Sequence, residues 1–162
     1  MRKIIYNKFD KHDITALPKV LFSGRIIVIN TAAEAEKAVD YLMSQKILGI
    51  DTETRPSFKK GQTHNVALLQ VSTHDTCFLF RLNLTGITPA IIRLLEDPSI
   101  PKIGLSLRDD INSLHKRADF HPGNFIDLQK HVCELGVEDL SLQKLYANFF
   151  HQKISKSVRL SN

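Results

Sequence analysis

Cysteine is scarce in this chain of 162 residues. Cys77 and Cys133 are the only two, far apart and in no CxxC pairing. That pattern argues against a disulfide framework and a cysteine-rich zinc site. It predicts buried thiols in a reducing compartment, here read as the cytoplasm. No apolar run reaches the length of a membrane span. The opening "MRKIIYNKFDKHD" has no long apolar core, so it does not read as a secretory signal. Internal repeats and low-complexity segments are absent. Several catalytic signatures are missing too. The seven histidines show no HExxH spacing, Ser72 and Ser106 have no elbow glycines, and "GLSLRDD" lacks the Gly-Lys-Ser/Thr ending of a P-loop.

What is present suits one soluble domain with a sizeable core: 43% hydrophobic and 24% charged residues. Lys and Arg number 22 against 17 Asp and Glu, a net +5 that is compatible with a polyanionic partner. Arg55, Lys59 and Lys60 form one cluster, and Lys153, Lys156 and Arg159 another. Charge alone favours a solvated surface for both.

Residues 1–24 read as an arm, and 25–162 as one domain. "RIIVINT" (25–31) is a β-branched strand. Thr31 is placed to cap the helix "AAEAEKAVDYLMSQK", with Ala35, Val39 and Leu42 on its apolar face. "ILGIDTE" (47–53) is the next strand and 55–64 an exposed loop. "VALLQVST" (66–73) and "TCFLFRL" (76–82) form a hairpin across His74-Asp75. Residues 88–97 are a helix capped by Thr88 with Pro89 in its first turn. A short strand at 101–106 precedes a helix over 107–119 with Leu107, Ile111 and Leu114 on one face. Residues 125–136 begin extended, turn helical and close at Gly136. Ser141 caps a last helix, 141–150. This order predicts an α/β layer fold with a mixed sheet.

The strand at 47–53 ends in two acids, Asp51 and Glu53. Carboxylates at i and i+2 share one face of a strand, and at its end both can converge on one point. Two like charges that close raise each other's pKa, and a divalent cation removes the conflict. Hard oxygen ligands suit Mg²⁺ or Mn²⁺. A DxE alone is common, and two exposed acids at a strand end, one capping the next turn, explain it equally well. Asp109 and Asp110 open the helix at 107, where acids favour the macrodipole. Asp110 borders the apolar face, whereas Asp109 turns to solvent. If the sheet brings that helix start beside Asp51, Asp110 can share a metal. Asp127, in "FIDLQ", is expected to cap the helix that begins at Leu128.

"GIDTET", "ALLQVST" and "KIGLSLRDDINSLHK" together resemble the DEDD superfamily of 3′–5′ exonucleases, in the branch of RNase D and the Werner-type exonuclease domain. Lys102, Gly104, Leu107, Asp110 and Leu114 match the segment K-x-G-x-x-L-x-x-D-x-x-x-L. "FIDLQ" and "SLQKLYANFF" resemble later family segments. The resemblance covers most of residues 25–160. It implies an RNase H-like mixed sheet with helices on both faces. It also implies two Mg²⁺ or Mn²⁺ ions held by four acids and a single-stranded 3′ end of DNA or RNA as substrate. By position, Asp51, Glu53 and Asp110 become three of those ligands and the catalytic acids, with Glu53 orienting the attacking water. Thr52, Arg55, Lys59 and Lys60 are expected to meet the substrate. No membrane partner is implied.

The family's fourth ligand, an Asp four residues after a Tyr or five after a His, has no match. Tyr146 is followed by Phe150, and no acid occurs after Asp139. The expectation is therefore a truncated gene product whose C-terminal helix is cut short, weakly active or inactive as it stands. Two rivals remain at this stage. A dehalogenase-type phosphatase is disfavoured by Glu53 where that chemistry needs a second Asp. A non-catalytic nucleic-acid-binding module on a degenerate nuclease fold fits the missing acid.

Overall fold

The computed structural model describes residues 3–155. The basic residues Lys156 and Arg159 lie outside them. In chain order the elements are α1 (Lys11–Thr15), β1 (Lys19–Val20), β2 (Arg25–Ile29), α2 (Ala32–Met43), β3 (Leu48–Thr54), β4 (Val66–Ser72), β5 (Thr76–Arg81), α3 (Leu82–Thr85), α4 (Pro89–Glu96), β6 (Lys102–Gly104), α5 (Leu107–His115), β7 (Phe125–Asp127), α6 (Leu128–Glu134), α7 (Leu142–Phe150) and β8 (Lys153–Ile154). They fall into two compact units: residues 24–127, and residues up to 23 together with those from 128 onward.

The larger unit is a six-stranded sheet in the order β2-β5-β4-β3-β6-β7. β4 is antiparallel to both its neighbours, β3 and β5. The pairs β2–β5, β3–β6 and β6–β7 are parallel. The mixed sheet and the β4–β5 hairpin thus form as the sequence predicts. Cross-strand register puts Ile29, Phe80, Leu69 and Thr52 in one row, and Ile27, Phe78, Val71 and Ile50 in the next. Successive side chains alternate faces, so both rows lie on one side of the sheet. Ile29, Phe80, Leu69, Phe78, Val71 and Ile50 are buried there in one core with helical residues of α2, α4 and α5. A fully buried Leu or Phe in such a core contributes about 2 kcal/mol.

The caps are local and sequence-readable. Thr31 accepts from the Glu34 amide at 3.2 Å while the Glu34 carboxylate accepts from the Thr31 amide at 3.1 Å, a capping box that starts α2. Thr88 and Pro89 start α4, and Ser141 caps α7. Three boundaries differ from expectation. Strand β5 ends at Arg81, and the chain turns at once into α3. The strand expected over 101–106 stops at Gly104, because Ser106 adopts a left-handed conformation, φ 54°. Helix α5 ends at His115, whose ring shares a 2.9 Å hydrogen bond with the carbonyl of Phe120.

Lys102, fully buried, fixes β6 from beneath. Its ammonium donates to the carbonyls of Asp97 and Ile100, both at 2.8 Å, and stands 5.5 Å from the centre of the Phe125 ring. Burial pushes its pKa down to about 8, against the pull of the Asp97 charge.

The smaller unit gives the predicted arm structure of its own. Strand β1 pairs in parallel with β8, and Phe9, Ile14 and Ala147 form a small core. Asp139 accepts from the Phe9 amide at 2.6 Å and from Lys144 at 3.2 Å.

Candidate active site

Strand β3 leaves the core as it proceeds. Leu48 and Ile50 are buried, Thr52 is half-buried on the same face, and Asp51 and Glu53 are exposed on the other. Asp51 lies opposite Gln70 and Glu53 opposite Leu68, and the ladder shifts between Glu53 and Thr54. The two acids therefore share one face, as their spacing requires. The irregularity marks where the strand is released into the exposed 55–65 loop.

Helix α5 is brought to this end by β6. A Cβ on Gly104 would stand 2.5 Å from the Leu107 side chain and 2.6 Å from the Ile50 carbonyl oxygen, so only glycine lets the helix start approach β3. Asp127, paired with Gly104 across β6–β7, accepts from the amides of Ser106 and Leu107, each at 3.2 Å. Asp127 thus caps α5, back along the chain.

Within α5, Asp109 is exposed and Asp110 half-buried, as their positions predict. The Thr52 hydroxyl donates to the Asp110 carboxylate. Burial holds the Asp110 pKa above its ordinary value. The Thr52 hydrogen bond opposes that shift, and the negative charges of Asp51 and then Asp109 add to it. Asp51 and Asp110 therefore feel one another, and Thr52 ties their two elements together.

This donor set fits a hard divalent cation. Mg²⁺ is commonly held by one or two carboxylates with water and substrate phosphate completing the shell. Asp51 and Glu53 lie on one face of the strand end, and Asp110 is tied to the same end through Thr52. Among the described residues, no three His, Cys, Asp or Glu side chains already converge to hold an ion.

Arg55, Lys59 and Lys60 are exposed in the loop after β3 and form no ion pair among the described residues. Between them stands Phe58, 95% exposed, a residue the sequence reading passed over. The signal was there: an aromatic flanked by three cations in a loop beside two acids. The hydroxyl of Thr52, expected to face substrate, is engaged by Asp110.

A family profile described as "3′-5′ exonuclease" matches residues 26–162. The chain belongs to the 3′–5′ exonuclease family. It is 28% identical over 159 residues to the mouse (Mus musculus) bifunctional 3′-5′ exonuclease/ATP-dependent helicase WRN, covering 90% of this chain and 11% of that protein. It is 30% identical over 105 residues to an Arabidopsis thaliana 3′-5′ exonuclease, covering 57% of this chain and 36% of the relative. The chain thus spans only a part of each relative's length. Trypanosoma brucei RNase D, solved in complex with RNA U12, superposes with a TM-score of 0.65 at 21% identity, over 78% of this chain and 47% of that one. The exonuclease fold, RNase H-like and α/β, is the fold of this chain.

Proposed function

We propose that this exonuclease-family chain hydrolyses phosphodiester bonds at the 3′ end of single-stranded nucleic acid with Mg²⁺ or Mn²⁺. The observation that carries the reading is the Thr52–Asp110 hydrogen bond, which joins the strand end bearing Asp51 and Glu53 to the start of α5. Membership in the family and the RNA-bound state of the trypanosome RNase D support the substrate class. In this reading Asp51, Glu53 and Asp110 are the metal ligands and catalytic acids. When bound, the cation makes water a stronger nucleophile and stabilises the leaving 3′ oxygen.

The chain's own residues do the rest. Asp51 and Asp110 hold the cation, and Glu53 orients the attacking water. Arg55, Lys59 and Lys60 neutralise phosphates, and the exposed ring of Phe58 stacks on a base. The family's complete two-ion site takes four acids, of which Asp51, Glu53 and Asp110 are three in this reading. We place the domain at 25–162, in keeping with the start of the family match. We place the protein in the cytoplasm, where its two free cysteines are stable. No helix among the described residues is long and apolar enough to cross a membrane.

The test uses 5′- and 3′-labelled oligonucleotides, DNA and RNA, with Mn²⁺ or Mg²⁺. The purified chain is assayed alone and fused to a C-terminal helix carrying Tyr-x-x-x-Asp. Stepwise loss from the 3′ end is expected, faster in the fusion and reduced more than about 100-fold by Asp51→Asn. Binding without cleavage by either form, or cleavage indifferent to Asp51→Asn, overturns the proposal.

A further inference from the structure

The first amides of a helix need acceptors. Helix α5 does not find them in its own N-cap side chain, since Ser106 sits there in a left-handed conformation without capping its helix. The acceptor comes from another strand. Parallel pairing of β6 and β7 sets Asp127 opposite Gly104, two residues before Ser106. From there its carboxylate takes the amides of both Ser106 and Leu107 at 3.2 Å. A carboxyl oxygen at this place also meets the positive end of the helix dipole. Asp110 lies three residues beyond Leu107, within one turn of the bonded amides. The place of the Asp110 carboxylate is therefore fixed from the sheet, through β7, and its orientation by Thr52.

We infer that Asp127 is a positioning residue for the cation site: by capping α5 from β7 it holds Asp110 where that carboxylate and Asp51 can share one divalent ion. This rests on the reading of Asp51 and Asp110 as cation ligands. The bland account, in which Asp127 only stabilises α5, makes a different prediction. Under it, any lost helix cap in the same unit should act alike, and Thr88, which accepts from the Ile91 amide at 3.2 Å at the start of α4, provides that comparison.

The deciding measurement is Mn²⁺ affinity of the whole chain by electron paramagnetic resonance titration, with thermal unfolding recorded alongside. Asp110→Asn should weaken Mn²⁺ binding at least tenfold. Asp127→Ala should weaken it by about tenfold, the usual effect of losing a group that orients a ligand. Asp127→Asn keeps one of the two acceptor oxygens and should weaken binding only about two- to threefold. Thr88→Ala should lower the melting temperature and leave affinity unchanged. Native affinity in Asp127→Ala, while Asp110→Asn has lost it, overturns the positioning role and leaves the cation reading standing. Equal losses in Asp127→Ala and Asp127→Asn assign the effect to charge alone and overturn it too. If Asp127→Ala does not fold, Asp127→Asn decides: an affinity drop of about two- to threefold supports the role, and none overturns it. Undiminished binding in Asp110→Asn removes the cation reading itself, and the inference with it.

Discussion

The hydroxyl of Thr52 on β3 donates to the carboxylate of Asp110 on α5, across 58 positions of sequence. It joins the strand of the first two acids to the helix of the third. Thr52→Val keeps the shape and removes the donor, leaving a half-buried carboxylate short of a partner. A loss of about 1 kcal/mol is expected in urea unfolding of the metal-free protein, with weaker Mn²⁺ binding. Thr52→Ser should restore both.

Asp110 carries a pKa raised first by burial, then by Asp51. Between the ordinary carboxylate value and the raised one, the folded state binds more protons than the unfolded state. Stability contributed by this group therefore falls as pH rises through that window, and the full cost remains above it. Asp110→Asn removes the charge. The metal-free variant should be more stable than the native protein at pH 7, and the gap should close toward acid pH. Added Mn²⁺ should raise the melting temperature of the native protein only.

Lys102 gives the opposite window. Its folded pKa of about 8 lies below the unfolded value, so the unfolded state holds the extra proton between about pH 8 and 10.5. Its contribution is most unfavourable below pH 8 and improves as pH rises. Native stability should gain on the order of 2–3 kcal/mol across that range relative to Lys102→Met. Thermal melts at pH 7.5, 9 and 10 test it, and parallel profiles for the two proteins would refute it.

Gly104→Ala inserts a methyl group 2.6 Å from the Ile50 carbonyl oxygen, a backbone atom that cannot swing aside. Helix α5 must move, and Asp110 with it. A loss of about 2 kcal/mol in chemical unfolding is expected, together with loss of Mn²⁺ binding.

The 55–65 loop should act on nucleic acid without acting on the fold. Replacing Lys59 and Lys60 by Ala should reduce the slope of log affinity against log salt by about 1.4 for a single-stranded oligonucleotide. Phe58→Ala should weaken binding by about 1–3 kcal/mol with no change in slope. Fluorescence anisotropy at several salt concentrations separates the two effects. Melting temperatures should stay near native, because these side chains are exposed.

The sequence displayed what depends on neighbours in the chain. Thr31, Thr88 and Ser141 cap helices because each sits three residues from the amide it accepts. The face shared by Asp51 and Glu53 follows from strand alternation alone. The contact of Asp127 with α5 was hidden, because it depends on how β6 and β7 register. Ser106 hid the end of β6 for a related reason: no local rule requires a left-handed serine there. The face of Thr52 was readable, but its partner depended on where α5 docks.

The break in the ladder after Glu53 also separates two rates of change. Before it, Asp51 and Glu53 are registered against Gln70 and Leu68 of β4, where one inserted residue would turn every side chain to the wrong face. After it, the chain carrying Arg55, Phe58, Lys59 and Lys60 can lengthen, shorten or exchange residues without disturbing a single strand pair. Divergence in substrate preference among related proteins should therefore concentrate between positions 55 and 65, while the acids keep their spacing.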